Sequence, residues 1–280
     1  MLGRICRGNM LPNFIIAGAP KSGTTALRDY LSQHPDIYMA EGEVRYYNQE
    51  KNYKQGLSWY EKHFLDRTNE KAVGEKTPSY MYLSDVPEKM HKDNPNVKLI
   101  FMMRNPVDRA YSDYWMGRLK GKFNFPFCEI EKHKKLFLEV GEYAEQIKRY
   151  LKYFPMEQMF FIISEEFRAN RDEEMKKVLR FLEVDENFNF PDLEDKHVGI
   201  QSKSSLYTLL VDIHKKVIDT NATKRTKKVN KVVKKIFSYS NKIGKYPEMD
   251  EKTRRQLEKY FEKSNNELEK ITGRDLKKWW

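Results

Sequence analysis

One stretch near the start of the chain restricts the fold more than any other: Phe14-Ile15-Ile16-Ala17-Gly18-Ala19-Pro20-Lys21-Ser22-Gly23-Thr24-Thr25-Ala26-Leu27. An apolar run ends in a loop holding two glycines, a proline and a lysine, and two threonines then open an amphipathic pattern through Leu27, Tyr30 and Leu31. Strand, loop, helix is the order of a phosphate cradle. Glycines let the backbone approach an anion, and the free N–H groups at the helix start point at it with the favourable end of the helix dipole. The departures from a nucleotide-triphosphate loop matter as much. Such a loop sets Lys directly after its second Gly, then Ser or Thr to hold magnesium. Here Gly18 and Gly23 have that spacing, but Thr24 takes the lysine position and Lys21 lies inside the loop. The next strongly apolar run, residues 97–103, ends in Arg104 rather than in a metal-binding Asp. The pattern reads as a cradle for a single phosphate beside a cation, with no metal expected. Taken alone, it also suits a structural glycine loop of an α/β protein.

The rest of the chain alternates in the same way. Residues 37–39, 72–76, 97–103 and 159–163 read as short buried strands. Helices are expected over residues 56–64, 85–92, 106–119, 142–153 and 172–182, with Pro106 fitting the first turn of its helix. This order predicts an α/β fold with a parallel sheet and crossover helices. Residues 41–54, 121–127 and 187–205 read as irregular. The C-terminal region reads as helical over 206–218 and 250–271, the latter with Leu257, Tyr260, Phe261, Asn265, Leu268 and Ile271 near one face. No repeat or linker divides the 280 residues, so a single domain over 1–280 is expected, with 201–280 as its basic helical C-terminal portion.

Charge is unevenly placed. The net +11 arises wholly in the last 80 residues: 1–200 hold 31 basic and 31 acidic residues, 201–280 hold 21 and 10. The surplus is densest over 224–235, with seven basic residues and no acid. A surface of this kind attracts phosphate, sulfate, acidic glycan, nucleic acid or membrane headgroups, and it equally suits a solvated helix face. No run approaches the ~20 apolar residues of a membrane span. Arg4 and Arg7 are followed by no apolar run, so no secretory leader is expected. Cys6 and Cys128 show no pairing or metal-ligand pattern, and the six histidines show no metal spacing. A reducing, cytoplasmic setting is the expectation.

Three segments should meet the cradle at the C-terminal ends of the strands, where open α/β sheets bind ligands. Arg104-Asn105-Pro106-Val107-Asp108-Arg109-Ala110-Tyr111-Ser112 puts an arginine at a strand end and a serine two turns into the following helix. Arg104 suits a second phosphate through its bidentate fork, while Arg109 equally suits a structural salt bridge. Glu41-Gly42-Glu43-Val44-Arg45-Tyr46-Tyr47 supplies a carboxylate able to deprotonate a hydroxyl. Glu75-Lys76-Thr77-Pro78-Ser79-Tyr80 supplies a second lysine able to stabilise a group in transfer. Glu43 and Lys76 also fit ordinary ion-paired surface positions.

Together these segments resemble the sulfotransferases that use 3′-phosphoadenosine 5′-phosphosulfate (PAPS). The first loop resembles their 5′-phosphosulfate motif, and residues 104–112 resemble their 3′-phosphate motif. Within that superfamily the chain is similar to the carbohydrate branch of heparan sulfate 3-O- and N-sulfotransferases and their bacterial relatives. The residues carrying this are Glu43-Val44-Arg45-Tyr46-Tyr47, Gly56-Leu57-Ser58-Trp59-Tyr60, Glu75-Lys76-Thr77-Pro78-Ser79-Tyr80 and Gly273-Arg274-Asp275-Leu276-Lys277-Lys278-Trp279. The resemblance runs from Pro12 to Trp279 and is weakest over 187–249. It implies a P-loop-like three-layer fold in which Lys21, Ser22, Gly23, Thr24 and Thr25 hold the 5′-phosphosulfate, Lys21 neutralising the leaving phosphate oxygen. It implies that Arg104 and Ser112 bind the 3′-phosphate, that Glu43 is the general base, and that Lys76 stabilises the sulfuryl group as PAP departs. The implied partners are a nucleotide co-substrate and a glycan or small hydroxylated acceptor, without nucleic acid.

The 3-O-sulfotransferase pattern Lys-Glu-x-His-Phe-Phe-Asp is altered here: Gly42 replaces the Lys, Arg45 the His and Asn48 the Asp. The disulfide-flanked cofactor loop of the animal enzymes has no counterpart, and Ser202 and Lys203 are the candidates to cover the nucleotide instead. The basic segment 224–235 has three open roles: acceptor binding, PAPS binding or peripheral membrane contact. Competing readings are a sulfotransferase for a small lipid or secondary-metabolite alcohol with His34 or His63 as base, a P-loop kinase, and a non-catalytic basic binding protein. Amine acceptors rank behind hydroxyls.

Overall fold

A computed structural model of the chain describes residues 11–119, 122–123, 125–191 and 247–279. Ser202, Lys203, the basic segment 224–235 and the helix expected over 206–218 lie outside the described residues.

Five strands form one sheet: β1 (Phe14–Gly18), β2 (Ile37–Met39), β3 (Ala72–Lys76), β4 (Lys98–Met103) and β5 (Met159–Ile163). They run in the order β2-β3-β1-β4-β5, and every pair is parallel. The helices are α1 (Thr24–Leu31), α2 (Glu50–Tyr53), α3 (Leu57–Glu61), α4 (Val86–Asp93), α5 (Pro106–Leu119), α6 (Ile130–Lys134), α7 (Leu136–Glu139), α8 (Tyr143–Leu151), α9 (Ser164–Ala169), α10 (Arg171–Leu182) and α11 (Glu251–Thr272).

Strand β1 is buried over its whole length because it has a strand on each edge and helices on each face, which is why it reads as a continuous apolar run. Successive side chains point to opposite faces. Phe14 and Ile16 pack with Leu27 and Leu31 of α1 and with Met175, Val178 and Leu179 of α10. Ile15 and Ala17 pack with Val86 and Met90 of α4, Ile147 and Tyr150 of α8, and Leu268 of α11. That gives three layers: helices, sheet, helices. Beside them, α5, α6, α7 and α11 share a third cluster around Tyr114, Trp115, Leu138 and Phe261. Gly74, paired with Phe14 across β1 and β3, makes room for the Phe14 ring; a Cβ there would lie 2.2 Å from it.

The chain visits β2 and β3 on one side of β1 and then crosses to β4 on the other. The loops leaving β1, β3 and β4 therefore diverge at their C-terminal ends, which opens a crevice at that point of the sheet. The C-terminal segment returns to the same edge. The Trp279 carbonyl accepts a hydrogen bond from Asn105 Nδ2 at 3.1 Å, and its indole Nε1 donates to Glu165 Oε2 at 3.4 Å. Asn105 Oδ1 in turn accepts from the Val107 and Asp108 amides, capping α5. At the other end of the long final helix, Asp250 Oδ1 accepts from Thr253 N at 2.9 Å, and Gly273 closes it with φ 66°.

The expected strands and the long helices stand where periodicity put them. Two departures are informative. Residues 50–53 form a helical turn inside a segment expected to be irregular, and residues 127–139 hold a 3₁₀ turn and two short helices that carried no expectation. These pieces are each under two turns long and are held by packing of Phe127, Ile130 and Leu138 rather than by periodicity. No helix among the described residues is long and apolar enough to cross a membrane.

Candidate functional site

An open cleft of about 1750 Å³ lies over the C-terminal ends of β1, β3 and β4. Lys21, Ser22, Gly23, Thr24, Thr25, Glu43, Lys76, Arg104 and Ser112 all line it. Residues far apart in sequence are thus brought to one cleft by the strand order.

The floor is the loop between β1 and α1. Lys21 has φ 68° and Gly23 φ 99°, so the chain turns twice through the left-handed region in three residues. Gly23 is the N-cap of α1 and provides no side chain to cap it, which leaves the first amides of the helix facing the cleft. Ser22 and Thr24 are buried, at 1% and 4% exposure, whereas Thr25 is half-buried. Lys21 Nζ lies 3.6 Å from Met116 Sδ of α5, so its ammonium spans from the loop towards the opposite wall.

The second wall holds the two charged groups from the middle segments. Lys76, the last residue of β3, has a side chain only 6% exposed. Its Nζ donates to Glu43 Oε1 at 3.1 Å and reaches Thr25 Oγ1 at 3.5 Å. Arg45 grips the other carboxylate oxygen, with Nη2 at 2.7 Å and Nε at 3.0 Å from Glu43 Oε2. Burial alone would push the Glu43 carboxyl up, but Arg45 and Lys76 outweigh it and hold the group below the ordinary carboxylate range. Arg45 itself has φ 57°, an uncommon conformation for a residue with a side chain.

The third wall follows β4. Arg104 leaves the strand end, and Ser112 sits two turns into α5, 8% exposed. The Arg104 Nε is buried and makes no hydrogen bond. A buried guanidinium donor without a partner, in a cleft that Ser112 also lines, suits a tetrahedral dianion. Arg109 has the structural role: it is fully buried, donates to the Phe137 carbonyl and pairs with Asp113 at 3.3 Å.

Sequence reasoning missed one contributor. Arg168 of α9 also lines the cleft, held by its Nε and Nη2 against the Ser164 carbonyl and hydroxyl, both at 3.2 Å. Burial pushes the Arg168 guanidinium down, and the like charge of Arg104 adds to this; both arginines line the cleft. Ser164 follows β5 as Arg104 follows β4. The histidines weighed as bases stand elsewhere. His34 is 2% exposed and satisfied on both nitrogens, by the Asp185 carbonyl at 2.9 Å and the Asp36 amide at 3.1 Å. His63 packs edge-on against Trp59. Neither lines the cleft. Among the described residues no group of three or more His, Cys, Asp or Glu side chains is placed to hold a metal ion.

Known proteins match this arrangement along nearly the whole chain. The model of the sulfotransferase domain family matches residues 11–273. Heparan sulfate glucosamine 3-O-sulfotransferase 5 of Mus musculus is 28% identical over 279 residues, covering 95% of this chain and 73% of that protein. The bifunctional heparan sulfate N-deacetylase/N-sulfotransferase 3 of Mus musculus is 30% identical over 299 residues, covering 96% of this chain but 31% of that protein. The crystal structure of a sulfotransferase from Alicyclobacillus acidocaldarius superposes with a TM-score of 0.69 at 27% identity, covering 96% of this chain and 98% of that one. The P-loop-like three-layer fold is therefore that of a known enzyme family, and the chain belongs to it: it is a sulfotransferase.

Proposed function

We propose that the cleft transfers a sulfuryl group from PAPS to a hydroxyl of a carbohydrate acceptor, with Glu43 as general base. The observation that carries this reading is the position of Lys76. Its ammonium contacts the threonine of the anion cradle on one side and the Glu43 carboxylate on the other. Donor site and base therefore share one cation, and a group passing between them stays beside it. The relatives named for heparan sulfate support a carbohydrate acceptor.

The residues present fit the nucleotide. The uncapped start of α1 with Ser22, Gly23, Thr24 and Thr25 suits the 5′-phosphosulfate, and the unspent Arg104 donor with Ser112 suits the 3′-phosphate. PAPS supplies an activated sulfuryl group whose S–O bond to the 5′-phosphate is the one that breaks. Glu43 takes the proton from the acceptor hydroxyl as that oxygen bonds to sulfur. Lys76 offsets negative charge on the sulfuryl oxygens, and Lys21 offsets the charge left on the phosphate oxygen, so PAP and a sulfate ester result. Cations and positioning carry this chemistry, and we propose that no metal is needed.

The test is transfer of labelled sulfate from PAPS, in the presence of a chelator, to N-acetylated and N-sulfated heparan-type polysaccharides and to a small alcohol such as 4-nitrophenol. Labelled polysaccharide together with stoichiometric PAP is the expected result. Label in the small alcohol alone moves the acceptor away from carbohydrate. Phosphoryl transfer from magnesium-ATP with none from PAPS overturns the proposal.

A further inference from the structure

Glu75, next to Lys76 on β3, is fully buried and touches none of the cleft. A buried carboxylate is costly to keep unless its oxygens are satisfied. Here they are: Oε1 accepts from the Tyr60 hydroxyl at 2.7 Å and the Tyr80 hydroxyl at 3.0 Å, and Oε2 accepts from the Thr77 hydroxyl at 2.7 Å. The Val44 backbone amide is a further donor to it. Two of those hydroxyls do a second job. Thr77 Oγ1 accepts from the Arg45 amide at 3.2 Å, and the Tyr80 hydroxyl accepts from the Tyr47 amide at 3.4 Å. Three backbone amides of the loop that carries Glu43 are thus tied, directly or through one hydroxyl, to a single carboxylate in the core.

We propose that Glu75 is the positioning residue of this enzyme: from inside the core it fixes the backbone of residues 44–47 and so sets Glu43 against Lys76. The polarity of the network explains why an acid is used. Each hydroxyl has one proton. Spent on the carboxylate, it leaves the oxygen free to accept the loop amide. A glutamine side chain would present an N–H donor to one side of the network, and the hydroxyl there would have to turn its own proton away from it, towards the loop amide that it now receives. The left-handed Arg45 backbone makes the tie necessary, since such conformations persist only where the surroundings over-determine them. The inference rests on Glu43 acting as the base, and two readouts keep the two claims apart.

In Glu75→Gln, kcat for sulfuryl transfer is expected to fall about 10- to 100-fold, the range that a small misplacement of reacting groups produces. PAP affinity by calorimetry is expected to stay unchanged, because the cradle and Arg104 hang from other strands. Thr77→Val and Tyr80→Phe should show the same split, and Thr77→Ser should restore turnover. Amide hydrogen exchange at residues 44–47 should quicken in Glu75→Gln whether or not an acceptor is known, which reads the positioning role without turnover. Should Glu75→Gln fail to fold, Thr77→Val and Tyr80→Phe decide by the same measurements. Unchanged kcat and unchanged exchange overturn the proposal, as does a parallel loss of kcat and PAP affinity across the three variants. A Glu43→Gln enzyme with full turnover would instead remove the general base and leave the exchange result standing.

Discussion

Glu43→Gln is expected to lower kcat about 10²- to 10⁴-fold, the contribution of a positioned general base, while PAP binding is retained. Glutamine keeps the shape and one acceptor oxygen but cannot take the proton. The pH profile adds a sign that no folding defect would imitate. Arg45 and Lys76 together hold the Glu43 carboxyl below the ordinary carboxylate range. Glu43 is therefore ionised at neutral pH, and with Glu43 as the proposed base the acid limb of the kcat/KM profile should lie below the pH at which an ordinary glutamate titrates. The same shift means that the stability which Glu43 contributes is present above its unfolded-state pKa and is lost as pH falls through the lower folded value. Arg45→Ala removes the bidentate partner and should move the acid limb upward. Rate against pH for wild type, Arg45→Ala and Glu43→Gln checks the limb positions, and unfolding midpoints across the same pH range check the stability statement.

Lys76→Ala comes next in size, with an expected loss of about 10²- to 10³-fold in kcat, the cost of removing one fixed stabiliser of transition-state charge. The side chain is 6% exposed and already paired, so its own charge is only weakly screened by water. Its removal also leaves Glu43 with Arg45 alone, so the acid limb should rise as kcat falls. Single-turnover transfer measured across pH separates the two effects. Lys76→Arg is not expected to restore the rate, since a planar fork cannot occupy the compact position between Thr25 Oγ1 and Glu43 Oε1.

Much of this site could be read before any coordinates because its parts are local. Strand β1 announces itself as an apolar run cut by glycine, the cradle and Arg104 each follow an apolar run directly, and Lys76 closes a short strand of its own. Parallel order does the remaining work, since strand ends in such a sheet lie on one edge. What the sequence concealed depends on contacts between distant residues. Arg168 stands on a helix that begins immediately after β5, with no proline or glycine to mark a loop. Arg109 and Arg104 are both arginines beside the same turn, and only packing shows that Arg109 is fully buried against Phe137 and Asp113 while Arg104 lines the cleft. Glu75 looked like the neighbour of a catalytic lysine. Its role emerges from Tyr60, Tyr80 and Thr77 closing around it, and no periodicity encodes that. Arg45, which stands where the 3-O-sulfotransferase pattern has histidine, holds the Glu43 carboxylate from the side opposite Lys76.

The most direct measurement is calorimetric titration of the wild type and of Arg104→Ala with PAP, ADP and magnesium-ATP. Tight metal-independent PAP binding is predicted, far weaker ADP binding, and a loss of about 10- to 100-fold for PAP in Arg104→Ala, as expected for a charge-assisted contact to phosphate. Equal affinity for PAP and ADP, or PAP binding indifferent to Arg104→Ala, would contradict the account, because the cleft would then have no 3′-phosphate site.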